Sequence, residues 1–369
     1  DVALAISLAK SGEFYARTTA TGCAVATNIT ATLTADSRGP LITPDGKWVV
    51  FTSDDRLVPD DELDGDGPWI YRRYLATGVT TVVSPYSAQF WRADGLSSSG
   101  AFVLAVDPYG SRVVRIDRLG NELEIFEDDG EREPRQAVMS PNGRYVVFTT
   151  APAGTGGPTD LRVWDSHTGF VSEVFADIAL GEFAVSSNGD IAFTSRTPGL
   201  VPEDSSDNGF DAFVLELSYD TPILLTPGPA DGRYIDISRD GEVVAFTAES
   251  DLLPGGSGDI DVFVRDLATD TTGRTAEDVG LGISISPDGT HVVFVRTGLE
   301  RGGSAHRASV DGTEEHVLVT SETDHLAQLP FASVANQAWR IVFQTPATDL
   351  TGDPDNGAFN IHVLDVATP

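Results

Sequence analysis

Four arginines occupy one position relative to a recurring turn, and they carry the clearest chemical potential in this sequence. Each precedes a turn glycine by eight residues: Arg38, Arg92, Arg135 and Arg233. A guanidinium presents several N–H donors in one plane, so a cluster of them would attract an anionic ligand. The aromatic neighbours Trp91 and Tyr234 add flat surfaces that suit sugar rings. The sequence therefore predicts a ligand site at these positions.

The same arginines also have a structural explanation. Acidic loops are expected on the same face, and the guanidinium groups would then form ion pairs between neighbouring parts of the chain. Both interpretations stay open at the level of sequence, because spacing alone does not show which way a side chain points.

Acidic loops are the second group of candidate residues, since Asp, Asn and Gly are closely spaced in residues 59–67, 202–211, 255–261 and 351–360. Several oxygen ligands on a tight loop suit a hard cation, and the sequence predicts a calcium site here. The candidate ligands are Asp60, Glu62, Asp64, Asp207, Asp211, Asp353 and Asp355. The alternative is an ordinary set of polar turns, in which Asp211 and Asp261 cap backbone amides.

Catalytic signatures are missing from the sequence. It contains no GxSxG, Walker, GxGxxG, HExxH or CxxC pattern, and its single cysteine, Cys23, excludes an intrachain disulfide. If the chain were a lyase acting on acidic polysaccharide, Tyr234 or His325 would be the candidate base. No required cofactor is predicted, and calcium is the one optional ion.

The elements that must position these residues are repeats. A turn of the form Ser-x-(Asp/Asn)-Gly precedes a run of β-branched residues that ends in Phe. Clear copies occupy Thr43–Phe51, Ser140–Phe148, Ser238–Phe246 and Ser286–Phe294, and looser copies occupy Ser97–Ala105, Ser186–Phe193 and Ser333–Phe343. Asp-Gly and Asn-Gly supply the positive φ angles of a tight turn, and the following apolar run is typical of a buried strand.

A further strand follows the apolar run, and clear examples occupy residues 160–165, 211–216, 261–266 and 360–365. With an outer strand after a short turn, the pattern predicts four antiparallel strands per unit. That pattern is typical of a β-propeller blade and leaves no room for a helical repeat. The seven repeats span residues 37–366, and residues 1–36 hold strands that complete or add a blade. The last repeat lacks an outer strand, so the ring can close with a strand from the other end of the chain. We expect one propeller domain over residues 1–369 with seven or eight blades, and the strand count favours eight.

These repeats resemble a known family. The SPDG-x-x-VVF turn, the LVP elements at Leu57–Pro59 and Leu200–Pro202, and the DVFVRDLAT segment are similar to the WD40-like (PD40) repeats of TolB-type β-propellers. The resemblance implies the propeller fold. It leaves function open, because the family ranges from periplasmic scaffolds to carbohydrate-active enzymes.

Composition restricts the partners. The net charge of −32 makes DNA, RNA and anionic membranes poor partners, and no apolar run is long enough to span a membrane. We expect a secreted or periplasmic monomer, with a signal peptide removed before Asp1. The favoured function is a propeller that binds an anionic small molecule, a glycan or a protein at its funnel. The alternative is a lyase or hydrolase acting on acidic polysaccharide there.

Overall fold

The structure is a computed structural model. It describes residues 24–30, 35–59, 67–83, 92–106, 112–153, 158–204, 209–219, 221–228, 231–249, 252–255, 259–280, 282–297, 303–321, 333–346, 350–351 and 358–366. Strands provide the regular structure of these residues, together with short 3₁₀ turns such as Asn336–Ala338. Among the described helices, none has the length and apolar character needed to cross a membrane.

Seven four-stranded antiparallel sheets form the blades of a propeller. The chain begins its described part with β1 (Ala24–Asn28), which belongs to the last blade. Blade 1 contains β2 (Ser37–Ile42), β3 (Trp48–Ser53), β4 (Trp69–Tyr74) and β5 (Val79–Val82). Blade 2 contains β6 (Arg92–Leu96), β7 (Phe102–Val106), β8 (Arg112–Asp117) and β9 (Glu122–Glu127). Blade 3 contains β10 (Arg132–Met139), β11 (Tyr145–Pro152), β12 (Thr159–Asp165) and β13 (Val171–Ile178).

The remaining blades follow the same order from the centre outward. Blade 4 contains β14 (Leu180–Val185), β15 (Ile191–Ser195), β16 (Asp211–Leu215) and β17 (Ile223–Leu224). Blade 5 contains β18 (Ile235–Ile237), β19 (Val243–Glu249), β20 (Ile260–Asp266) and β21 (Thr271–Ala276). Blade 6 contains β22 (Ile283–Ile285), β23 (His291–Thr297), β24 (Gly303–Ser309) and β25 (Glu315–Ser321). Blade 7 contains β26 (Ser333–Val334), β27 (Arg340–Thr345), β28 (Asn360–Val366) and, as its outer strand, β1.

Ring closure decides the number of blades. The outer strand β1 pairs antiparallel with β28 in five residue pairs, from Ala24 opposite Val366 to Asn28 opposite His362. The inner strand of blade 1 packs directly on blade 7, so the seven blades close on themselves. The propeller prediction and the borrowed closing strand are confirmed. The preference for eight blades was wrong, because a strand count could not show that blades 1 and 7 are in contact. Within residues 1–36, whose strands suggested an extra blade, residues 1–23 and 31–34 lie outside the described residues.

Two residues of the repeated turn have structural roles: the glycine adopts a positive φ, and the serine hydroxyl forms buried hydrogen bonds. Six turn glycines have φ between +64° and +97°, as the sequence predicts. The serine that opens the turn is fully buried in blade 3, where the Ser140 hydroxyl donates to Asn142 and accepts the backbone N–H of Tyr145 at 2.8 Å. The hydroxyl of Ser238 has the equivalent partners in blade 5. Each turn therefore fixes the end of an inner strand.

These turns also link neighbouring blades. The backbone N–H of Ser98 donates to the carbonyl of Pro141, and the N–H of Arg239 donates to the carbonyl of Pro287. In blade 3 the equivalent residue is Pro141, which has no N–H to donate. The neighbouring Asn142 side chain donates to the carbonyl of Ser187 in blade 4 instead. We call this end of the ring the turn face. The opposite end, where the chain crosses from an outer strand to the next inner strand, is the crossing face.

Candidate functional site

A central channel of about 350 Å³ runs through the ring, and all seven inner strands contribute to its wall. Much of the wall is apolar, with Ile42, Met139, Phe183 and Ile237 among its residues. The charged side chains in the wall are Asp94, Glu182, Asp236 and Arg239. Among the described residues of the wall, acidic groups therefore outnumber basic groups. This acidity was not predicted from the sequence.

Four of the described inner strands pair irregularly with their neighbours near their first residues. The register shifts in β2, β6, β10 and β14 near this point. In blades 4 and 5 a buried threonine accepts a backbone N–H at this point: Thr194 Oγ1 from Glu182 at 3.0 Å, and Thr247 Oγ1 from Tyr234 at 3.1 Å. Glu182 and Tyr234 both line the channel. Each threonine directly follows the Phe of its repeat, so the repeat carries a signal for this bulge.

Tyr234 lies beside Glu182 at the boundary between blades 4 and 5. Burial raises the pKa of the Tyr234 phenol, and the negative charge of Glu182 raises it further. The phenol is therefore protonated at neutral pH and has a proton to donate in a hydrogen bond. A group that holds its proton this firmly is poorly suited to act as a general base.

Among the predicted arginines, Arg233 directly precedes the channel residue Tyr234, and each described arginine side chain pairs with an acid two residues earlier. Arg38 contacts Asp36 and lies 3.7 Å from Asp54. Arg135 contacts Glu133, and Arg233 lies 3.2 Å from Asp231. The three guanidinium side chains are 56%, 45% and 50% exposed, so each ion pair faces solvent. The acid-x-Arg spacing in the sequence could have indicated this pairing.

Blade 4 has no arginine at this position for a steric reason. The equivalent residue is Gly181, where a Cβ atom would lie 2.5 Å from Thr194 Oγ1 and 2.9 Å from the ring of Phe210. Instead, the exposed Arg196 places its guanidinium over the Phe210 ring at 4.1 Å. Sequence reasoning missed Arg196, because the contact joins two segments that are distant in the repeat.

Several predicted site residues lie outside the described residues. Trp91, His325 and the calcium candidates Asp60, Glu62, Asp64, Asp207, Asp353 and Asp355 are not among the described residues. Arg92 opens β6, and its side chain is likewise outside the description. These predictions stay predictions.

The one described calcium candidate, Asp211, is buried at the start of β16. Its Oδ1 accepts the hydroxyl of Thr226 at 2.9 Å. At the same position in blade 5, the Oδ1 of Asp261 accepts the backbone N–H of Asp278 at 3.2 Å, which is the capping role expected for a polar turn. In the part of the chain that the structure describes, no three His, Cys, Asp or Glu side chains are grouped so as to hold a metal ion.

Three hydrogen-bonded polar side chains form a row inside blade 6. The Ser304 hydroxyl is 2.7 Å from Nε2 of His306, and Nδ1 of His306 is 2.7 Å from Oε1 of Glu315. The His306 ring is buried and stacks on Phe294 at 5.3 Å. Burial lowers the pKa of His306, and Arg296 lowers it further. The order Ser–His–Glu is that of a nucleophile relay, but the imidazole is enclosed between strands, so we assign it a structural role in blade 6.

Comparisons with known proteins support the fold. No family model matches the chain, and no curated protein matches its sequence. Among solved structures, an oligogalacturonate lyase in complex with manganese is similar, with a TM-score of 0.69, 15% identity and coverage of 94% of both chains. An oligogalacturonate lyase from Vibrio parahaemolyticus has a TM-score of 0.66 and 14% identity, covering 94% of this chain and 98% of that chain.

A TolB structure from Acinetobacter baumannii is also similar, with a TM-score of 0.48 and 17% identity over 78% of this chain and 64% of that chain. At these identities the likeness to the lyases shows a shared fold. The propeller architecture that the repeats predict is therefore confirmed by the two lyase structures, each of which covers 94% of this chain.

Proposed function

We propose that this chain is a glycan-binding propeller, and that it holds acidic sugars at the crossing face beside blades 4 and 5. The observation that carries the proposal is the grouping of Arg233, Tyr234 and Glu182 at the mouth of the channel. Arg233 is half exposed and directly precedes Tyr234, which lines the channel together with Glu182. Arg38, Arg92, Arg135 and Trp91 extend the proposed surface around the ring.

The chemistry of this grouping suits a sugar. The Asp231 carboxylate holds the Arg233 guanidinium through Nε and Nη2, so less side-chain entropy is lost when a ligand binds. Sugar hydroxyls both donate and accept hydrogen bonds, and the paired carboxylates and guanidinium groups offer both functions. A uronate carboxylate would add a charge-assisted bond to the guanidinium. The protonated phenol of Tyr234 adds a donor and a flat surface for a sugar ring.

The fold comparison supports the same ligand class. Two solved structures that match this chain over nearly their whole length are oligogalacturonate lyases, whose substrates are acidic sugars by name. A secreted or periplasmic location would place the protein where such polymers occur, and we propose that location with the function. The proposal requires no bound metal.

Calorimetric titration with galacturonate oligomers and with galactose oligomers of the same length tests the proposal. We expect the acidic oligomers to bind, and Arg233→Gln to weaken that binding about 10- to 100-fold, the range for a charge-assisted hydrogen bond. Arg144→Gln is the matched control, since Arg144 forms a similar ion pair with Asp165 on the turn face. Failure of both oligomers to bind, or equal binding by the Arg233 variant and the wild type, would rule out this site.

A lyase acting on acidic polysaccharide is the second candidate, and the two fold matches favour it. A lyase needs a base that removes a proton from the sugar, and the raised pKa of Tyr234 opposes that role. His325 remains the other candidate base. Incubation with uronate polymers while following the ultraviolet absorbance of the unsaturated product separates the two functions. Product formation would replace the binding proposal with the catalytic one.

A further inference from the structure

Exposed apolar side chains concentrate at one place on the turn face. Nine large apolar residues are exposed among the described residues, and five of them belong to blades 3 and 4: Phe170, Val171, Leu217, Tyr219 and Ile223. Phe170 is 75% exposed and Tyr219 is 63% exposed. Phe170, Leu217 and Tyr219 line one cavity, and Tyr219 and Ile223 line the adjoining one. Single exposed apolar residues are common on protein surfaces, whereas large contiguous apolar patches mark interaction sites.

A short strand explains why this surface is uncovered. The outer strand of blade 3, β13, has eight residues, whereas the outer strand of blade 4, β17, has two. Blade 4 therefore leaves the outer part of the facing sheet of blade 3 open as a groove of about 430 Å³. Val163 and Leu215 form the buried floor, and Phe170, Leu217 and Tyr219 form the exposed walls. We call this surface the blade 3–4 groove.

The charges around the groove favour a basic occupant. Asp165 and Glu173 line it, and Glu216 lies beside Tyr219 in the adjoining cavity. Arg144 pairs with Asp165, and Arg162 lies 3.5 Å from Glu173 but also contacts Asp160. Arg144 therefore neutralises Asp165, and the acidic character of the rim comes from Glu216 and from Glu173, which shares Arg162 with Asp160, on a protein of net charge −32. A second copy of this chain would bring a similarly acidic surface to it and would be repelled.

We propose that the blade 3–4 groove docks a short peptide segment of a partner protein that carries large apolar side chains next to lysine or arginine. The apolar side chains would cover Phe170, Leu217 and Tyr219, and the basic residues would meet Glu173 and Glu216. This site is separate from the glycan site, because it lies at the outer edge of the turn face whereas the glycan site lies on the crossing face.

Selection of phage-displayed random dodecapeptides on the purified protein tests the proposal. We expect enriched peptides that combine Phe, Leu or Trp with Lys or Arg, and whose synthetic versions bind with micromolar affinity. Phe170→Asp and Tyr219→Asp should each weaken that binding at least tenfold. Leu119→Asp is the matched control, because Leu119 is 86% exposed in the corresponding turn of blade 2. All three positions are exposed, so the melting temperatures should stay close to that of the wild type.

Several outcomes of the peptide selection would contradict the proposal. Enriched peptides that are acidic, or that bind Phe170→Asp as well as the wild type, would overturn the proposal, and so would a failure to enrich any peptide. Sedimentation velocity tests the alternative occupant. A dimer that forms as protein concentration rises and is lost in Phe170→Asp would show that a second copy fills the groove, and would also overturn the proposal.

Discussion

At the scale of single residues, Asp236 carries the most unusual electrostatics of the described channel wall. Its Oδ2 accepts the backbone N–H of Ile285 at 2.9 Å and the hydroxyl of Ser284 at 3.2 Å, both from blade 6. Its Oδ1 accepts the N–H of Ile237 in its own strand. The carboxylate therefore joins the inner strands of blades 5 and 6. Burial nevertheless raises its pKa to about 6, since these hydrogen bonds offset only part of the desolvation.

A raised carboxyl pKa makes stability fall as pH rises. The folded protein holds the Asp236 proton up to about pH 6, whereas the unfolded chain releases it near 3.8. The stabilisation is thus fully present below pH 3.8 and is lost as pH rises through about 6. Between about pH 5 and pH 7.5 the wild type should lose about 1 to 1.5 kcal/mol more unfolding free energy than Asp236→Asn, which does not titrate. Urea unfolding of both proteins at the two pH values measures this, and parallel curves would contradict it.

The candidate site was only partly predictable from single residues. The register of Arg38, Arg135 and Arg233 is visible in the sequence, and in the structure Arg233 directly precedes the channel residue Tyr234. Their ion pairs with Asp36, Glu133 and Asp231 follow an acid-x-Arg spacing that the sequence also contains, but the spacing does not by itself show that the two side chains meet. The acidic channel residues Glu182 and Asp236 were missed, because the repeat pattern does not show which residues of an inner strand line the channel.

At the scale of elements, arginine–aromatic contacts join one blade to the next on the turn face. Arg115 of β8 lies between Phe102 at 4.2 Å and Trp164 at 4.9 Å, and its Nη1 donates to the carbonyl of Gly143 in blade 3 at 2.8 Å. Arg340 of β27 stacks on Trp339 at 4.6 Å and donates to the carbonyl of Gly46 in blade 1 at 2.6 Å. The turn carbonyls thus receive charged donors from the preceding blade.

Arg115→Met should therefore weaken the contact between blades 2 and 3. Methionine keeps an apolar stem of similar length but loses both the hydrogen bond and the cation–π contacts, so we expect a loss of about 2 to 3 kcal/mol in unfolding free energy. Arg112→Met is the control, since Arg112 lies on the same strand at 4.0 Å from Glu122 and is 34% exposed. Denaturant unfolding of the two variants measures the difference. Equal losses of unfolding free energy in the two variants would contradict a specific role of Arg115 in joining blades 2 and 3.

The strands were more predictable than the contacts between blades. The strands expected at residues 160–165, 211–216, 261–266 and 360–365 are present as β12, β16, β20 and β28. Turn glycines and alternating apolar residues act locally, so the sequence shows them directly. Arg115 lies between one ring of its own blade and one ring of the next blade. A pattern within a single repeat cannot predict a contact between two repeats.

At the scale of the whole molecule, the ring is held shut by one strand from the other end of the chain. Ala24 of β1 packs in the core with Leu364 and Phe343 of blade 7. Just beyond β1, the backbone N–H of Ile29 donates to the carbonyl of Ile361, and the hydroxyl of Thr30 accepts the N–H of Ile361, both at 2.9 Å. Without β1, the outer edge of β28 would present unpaired backbone groups to solvent.

Removal of residues 1–30 should therefore destabilise the whole ring and not only blade 7. We expect a melting temperature lower by at least 5 °C, a broader transition because the blades no longer unfold together, and association through the exposed edge of β28. Removal of residues 1–22 is the control, since it leaves every pair between β1 and β28 in place. Calorimetry and light scattering measure the two effects. If the longer deletion melted like the shorter one and stayed monomeric, the stability of the ring would rest on contacts between the inner strands, and β1 would serve only to cover an edge.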